Sequence, residues 1–118
     1  GRADALRPRV ELARGWLAFE RSELTEAAAY AEAAIAADAQ LASAHLLLAS
    51  VALERNQSPL EHLRRAVSGR APPPEALGRL AKRLPLGEEA CALARRYLVA
   101  APRGYDAPEV RRVAERCD

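Results

Sequence analysis

Prolines and glycines cut this sequence into short pieces, and each piece between them carries the pattern of a helix. β-Branched residues are too scattered to build strands, and no strand-like alternation of apolar and polar residues persists. The spacing predicts helices over residues 8–21, 24–37, 42–55, 59–68, 74–84, 87–101 and 107–117, joined by short turns. Two of the starts carry capping signals. In Ser58-Pro59-Leu60-Glu61 the serine oxygen is placed to accept from the third helical amide, proline suits the first helical position, and Glu61 can reach back to the serine amide. Asp106-Ala107-Pro108-Glu109 repeats that logic with aspartate as the cap. Short helices joined by such turns pair as antiparallel hairpins. The expected fold is therefore all-α, an α-solenoid of about three hairpins plus a C-terminal capping helix.

A chain of 118 residues is the size of one ordinary domain. Its residues are 50% hydrophobic but only 4% aromatic, and much of the apolar share is alanine, a strong helix former that buries little area. Such a chain makes closely approaching helices rather than a thick core. No uninterrupted apolar run reaches the length of about 18 residues that a membrane span needs. Lysine and arginine total 18 against 16 acids, a net charge of +2, too small an excess to demand a nucleic-acid partner. The bias toward alanine and arginine suits a GC-rich bacterial source. A start at Gly1 and the lack of methionine suggest a processed form or a piece of a longer protein, so the lack of a targeting signal is uninformative.

The helical pattern has a period. Leu77-Gly78, Ala81, Ala90, Ala94, Tyr97 and Pro102 place a leucine and a small residue in one helix, small residues where two helices would touch, a larger residue late in the second helix, and a proline after it. This stretch resembles a tetratricopeptide repeat. One repeat earlier, Leu48-Ala49 and Ala52 take the first-helix positions, and Ala66-Val67 ends a shortened second helix before Ala71-Pro72-Pro73-Pro74. Further back, Gly15, Ala18, Leu24, Ala27, Ala31, Ala34-Ile35 and Asp38 fit the register, with Arg14 in place of the family's leucine. The resemblance covers residues 8–104 and implies a single domain with repeats at about 8–41, 42–70 and 71–104, capped by 107–117 with Val110, Val113, Ala114 and Cys117 on one face. The family's first-helix tyrosine is absent throughout.

Cys91 admits three readings. Near a helix start its thiol could be activated, but Glu88 and Glu89 oppose a thiolate and the histidines sit in another hairpin. It could be a small packing residue. Counting outward from a turn near residue 104 places Cys91 and Cys117 opposite one another, where a disulfide would pin the capping helix and add about 3 kcal/mol. A bridged chain would belong in the periplasm or at the cell surface, an unbridged one in the cytoplasm. His45 and His62 are not spaced for one helical face and lack further ligands, so neither is expected to hold a metal. No phosphate-binding glycine loop occurs, and the paired acids Glu88-Glu89 are explained as charges offsetting a helix N-terminus. The sequence thus carries no catalytic set and calls for no cofactor.

Trp16 and Phe19, with Leu12, fall on one helical stripe and are the only tryptophan and phenylalanine in the chain. They read either as core or as part of a binding surface. By the tetratricopeptide resemblance, Leu12, Trp16, Phe19, Leu46, Ser50 and Leu53 would line a concave groove, and Arg79, Lys82 and Arg83 would form its basic end. That resemblance implies a protein-binding adaptor or scaffold rather than an enzyme, taking a peptide or partner helix with apolar anchors and an acidic segment. An accessory domain of a larger enzyme remains open. So does a nucleic-acid-binding domain, which would need Arg64, Arg65, Arg95, Arg96, Arg111 and Arg112 on one face. Three repeats are about the minimum for a stable solenoid, so exposed edges would also suit a homodimer.

Overall fold

The computed structural model describes residues 2–117, with side chains described from Leu6 onward. The fold is all-α, in the order α1 (Arg2–Glu20), α2 (Leu24–Ala37), α3 (Ala42–Glu54), α4 (Leu60–Ser68), α5 (Pro74–Arg83), α6 (Glu88–Ala100) and α7 (Ala107–Glu115). The ends lie close to those expected from sequence except at the N-terminus, where α1 runs through Pro8 instead of starting there. An internal proline removes one backbone hydrogen bond and crowds the preceding turn. Here the ring is buried on the inner face of the helix, which offsets part of that cost.

The chain divides into two compact units, Gly1–Ala71 and Pro72–Asp118. The division falls where the sequence places the start of its third repeat. Ala71 takes the left-handed conformation at φ 46°, and the three prolines after it cannot extend a helix backward. In the first unit α1 pairs with α2 and α3 with α4, while α2 and α1 also touch α3. In the second unit α5 pairs with α6, and α7 packs on both.

Small residues set the spacing of the hairpins. α2 buries Ala27, Ala31 and Ala34, a helical stripe without bulk, against a cluster containing Ala18, Leu47 and Val51. Gly15 sits so close to α3 that a Cβ there would lie 2.6 Å from the Cδ2 of Leu47. In the second unit Gly78 meets the Tyr97 ring in the same way, at 2.8 Å. Ala90 and Ala94 of α6 are buried beside it, so the leucine-glycine and alanine pattern read from sequence does mark a close helix contact.

Both predicted caps are used differently. α4 begins at Leu60, and the Ser58 hydroxyl accepts from the Leu60 amide at 3.3 Å, one residue earlier than a capping box requires. Glu61 turns along the helix to receive Arg65 at 2.6 Å. Asp106 precedes α7 with helical backbone angles (φ −86°, ψ −2°), outside the extended region that lets a side chain fold back onto the helix amides. Its carboxylate instead takes Lys82, and its amide donates to the Tyr97 hydroxyl at 3.0 Å.

Candidate partner-binding surfaces

The stripe predicted on the first helix is present. Leu12, Trp16 and Phe19 all lie on α1 and press one side against the Ala18, Ala27, Ala31, Leu47 and Val51 cluster, while each stays only half-buried. The Trp16 and Phe19 rings meet edge to face, 5.9 Å between centroids at 85°, so each orients the other. Leu53, on α3, is also half-buried.

Leu46 and Ser50 are corrected: both are buried and offer no surface to a partner, and the Ser50 hydroxyl donates to the Leu46 carbonyl at 3.1 Å. The physical reason lies in α3 itself. Its buried residues run Ala42, Ala44 to Leu47 and Ala49 to Ala52, nearly the whole circumference, as expected of a helix that is apolar on all sides.

Lys82 also needs correction. Its Nζ lies 2.7 Å from Asp106 and 3.5 Å from Glu109, and the Lys82 and Asp106 side chains are only 24% and 9% exposed. Partial burial works against the lysine's charge. The hydrogen bond and attraction of Asp106, with Glu109 behind it, outweigh that and hold Lys82 above its ordinary pKa. The residue therefore ties α5 to the start of α7 rather than waiting for a ligand. Of the other two basic residues, Arg83 is exposed and Arg79 half-buried.

The cysteine question resolves toward the bridge. Cys91 in α6 and Cys117 beyond α7 have sulfurs at 2.14 Å and Cα atoms 5.8 Å apart, within the range a disulfide requires. Joined in this way, Cys91 has no thiol to act as a nucleophile. Glu88 and Glu89 occupy the first turn of α6, the place expected for charges that offset a helix N-terminus.

The two histidines are packed on the α3–α4 hairpin. His45 is buried, its Nε2 donates to the Ala39 carbonyl at 3.0 Å, and its buried Nδ1 has no hydrogen-bond partner. Burial holds the pKa of His62 below its ordinary value, Glu61 pulling it up and Arg65, His45 and Glu32 adding smaller effects of both signs. No group of three or more metal-ligating side chains is found among the described residues, and no helix there is long and apolar enough to cross a membrane.

The structure adds surfaces that the repeat pattern does not announce. On the second unit a 450 Å³ groove is walled by Pro72, Leu77, Val99 and Ala100, with Arg95 and Arg96 at its sides. On the first unit, Leu6, Val10 and Leu17 are large apolar residues left in solvent. Their 4-, then 7-residue spacing was readable in sequence as a second apolar stripe on α1, but the stripe containing Trp16 is richer and draws the eye to the opposite side.

No family model, curated protein or solved structure matches the chain. The functional reading therefore rests on the chain's own residues.

Proposed function

We propose that this chain is a protein–protein interaction module, a tetratricopeptide-like adaptor or scaffold domain that holds a peptide or a partner helix and performs no catalysis of its own. The observation that carries the reading is the Trp16–Phe19 pair, two large rings locked edge to face and left half in solvent on a chain otherwise poor in aromatics. Rings of this kind supply contact area with little rotamer entropy to lose on binding. Leu12 and Leu53 add half-buried apolar surface on the same unit. Arg79 and Arg83 would favour an acidic segment in the partner. The Cys91–Cys117 bridge supports a place in an oxidising compartment, the periplasm or the cell surface.

The test is affinity capture from the native host with the wild-type chain, Trp16→Ala, Arg83→Glu and the double variant, each shown by circular dichroism to be folded. Partners held by the wild type should be depleted with Trp16→Ala and further reduced in the double variant. Equal recovery by a folded double variant would remove this reading.

A further inference from the structure

The face of α1 turned away from its core is apolar where it should be most polar. At roughly 100° per residue, Pro8, Leu12, Gly15 and Phe19 share the side that meets the rest of the first unit, and Leu6, Val10, Ala13 and Leu17 share the side opposite. All four of these outer residues are exposed, the large ones by 56% for Leu6, 46% for Val10 and 47% for Leu17. A lone exposed leucine needs no explanation, but a contiguous stripe does. The spacing of this one is 4, 3 and 4, the seam of a helix that packs against another helix by inserting knobs into holes. Near its C-terminal end Leu17 borders a shallow concavity of 170 Å³ shared with Arg14, Arg21 and Tyr30, space for a side chain of an incoming helix.

The flanks of the seam specify what can lie on it. Arg7 and Arg14 recur seven residues apart along one edge, with Arg21 just past the end of α1, and Arg9 stands on the other edge with Trp16 one heptad after it. Acids are fewer. Glu11 lies 3.8 Å from Arg14, and Glu20 and Glu23 stand only at the C-terminal end. A second copy of the chain fits poorly. Antiparallel pairing would set the arginine edge against itself, and parallel pairing would set it against Arg9, like charges facing in both registers. A helix with the same apolar spacing and acidic flanks would meet attraction along the Arg7, Arg14 and Arg21 edge and at Arg9 on the other.

We infer that the outer face of α1, Leu6, Val10, Ala13 and Leu17 between an arginine row and Arg9, is a docking surface for an acidic amphipathic helix of a partner protein. The inference deepens the proposed binding role but rests on exposed residues which that reading does not use, on the side of α1 opposite Phe19 and with Trp16 only at its edge, so the two can fail separately. Docking would bury the exposed apolar side chains in a two-helix seam and pair each flanking arginine with a carboxylate.

The experiment is titration of the disulfide-intact chain with a synthetic helix about three heptads long, leucine at the seam and glutamate at both flanks. A scrambled peptide of the same composition and a lysine-flanked version serve as controls. The glutamate-flanked helix should bind and both controls should not. Val10→Lys with Leu17→Lys should abolish binding, while reversing Arg7, Arg14 and Arg21 to glutamate should weaken it about tenfold or more and admit the lysine-flanked helix. All these positions are exposed and the new residues are good helix formers, so circular dichroism should stay unchanged. Arg83→Glu, which tests the other surface from the second unit, should leave this binding intact. Absence of binding, or binding that survives Val10→Lys with Leu17→Lys, overturns the inference. Self-association in sedimentation that Leu17→Lys removes would assign the seam to a second copy and overturn it. So would binding to generic duplex DNA that depends on the arginines but not on Val10 and Leu17.

Discussion

In Gly1–Ala71 four helices hold together through alanine stripes, the Leu47 and Val51 cluster, and aromatic side chains laid against it. In Pro72–Asp118 three helices share a smaller core around Leu77, Leu80, Leu93, Tyr97 and Val110, and two further ties are added. One is the Cys91–Cys117 bridge at the far end of α7, the other the Lys82–Asp106 pair at its start. The first unit has an ion pair as well, Arg70 on Asp38 at 2.5 Å, but its arginine lies largely in solvent. That guanidinium keeps the Asp38 carboxyl below its usual pKa without securing any buried group. A unit near the size limit of about 40 residues, below which domains usually need cross-links, gains most from such ties. The larger unit can rely on packing alone.

The largest effect expected from this contrast follows removal of the bridge. Cys91→Ala with Cys117→Ala, or reduction, should cost the second unit about 3 kcal/mol for a closure spanning 26 residues. Hydrogen exchange should accelerate in α5, α6 and α7 and stay unchanged in α1 and α2. Equal acceleration in both units would break the comparison. Mass measurement after alkylation without reductant should show no labelled cysteine in the native chain.

A smaller loss, about 2 kcal/mol, is expected of Lys82→Met, because Asp106 keeps its burial and loses its partner. The matching change Arg70→Met in the first unit should cost less, under about 1 kcal/mol in denaturant unfolding, since Arg70 is 64% exposed and Asp38 keeps its contact with the Gln40 amide. The pH dependence carries a definite sign. A folded-state pKa raised above 10.5 means that the Lys82 contribution is complete below that pH and is lost as pH rises through the higher folded value. Wild type should therefore lose its advantage over Lys82→Met in alkaline solution.

The smallest expected effect appears on the acid side and only in the first unit, which holds both histidines of the chain. With its folded pKa below 6.5, His62 contributes stability that is present above 6.5 and lost as pH falls through the lower folded value. Unit-resolved exchange should show α3 and α4 loosening between neutral and mildly acid pH, with α5 to α7 unaffected. His62→Gln should flatten that response, and an identical response in this variant would assign the acid sensitivity elsewhere.

Much of the secondary structure was legible because proline, glycine and alanine act locally. Most helix ends fall at proline or glycine, although α1 runs through Pro8, and the alanine and glycine positions that resembled a helical repeat are buried contacts such as Gly78 on Tyr97. The polar residues were harder to read. Asp106 has the chemistry of a cap, yet its backbone angles turn it to Lys82, while Ser58 still accepts from the Leu60 amide but without the reciprocal Glu61 contact. Lys82 looked like a surface cation because its partner is 24 residues away. Leu46 and Ser50 were placed on a surface by register, although the apolar circumference of α3 already argued for the interior.

The amino-acid sequence by itself determined seven helices, their short turns and the small residues along their contacts, because these depend on backbone freedom and side-chain volume within a few residues. A boundary near Ala71 and the Cys91–Cys117 pairing were among the sequence's expectations, but which reading of the cysteines holds and the pairing of Lys82 with Asp106 were decided only by tertiary structure. Each depends on how helices are rotated and offset against one another. A fraction of a helical turn separates a bonded pair from two groups facing apart, and no local pattern fixes that angle.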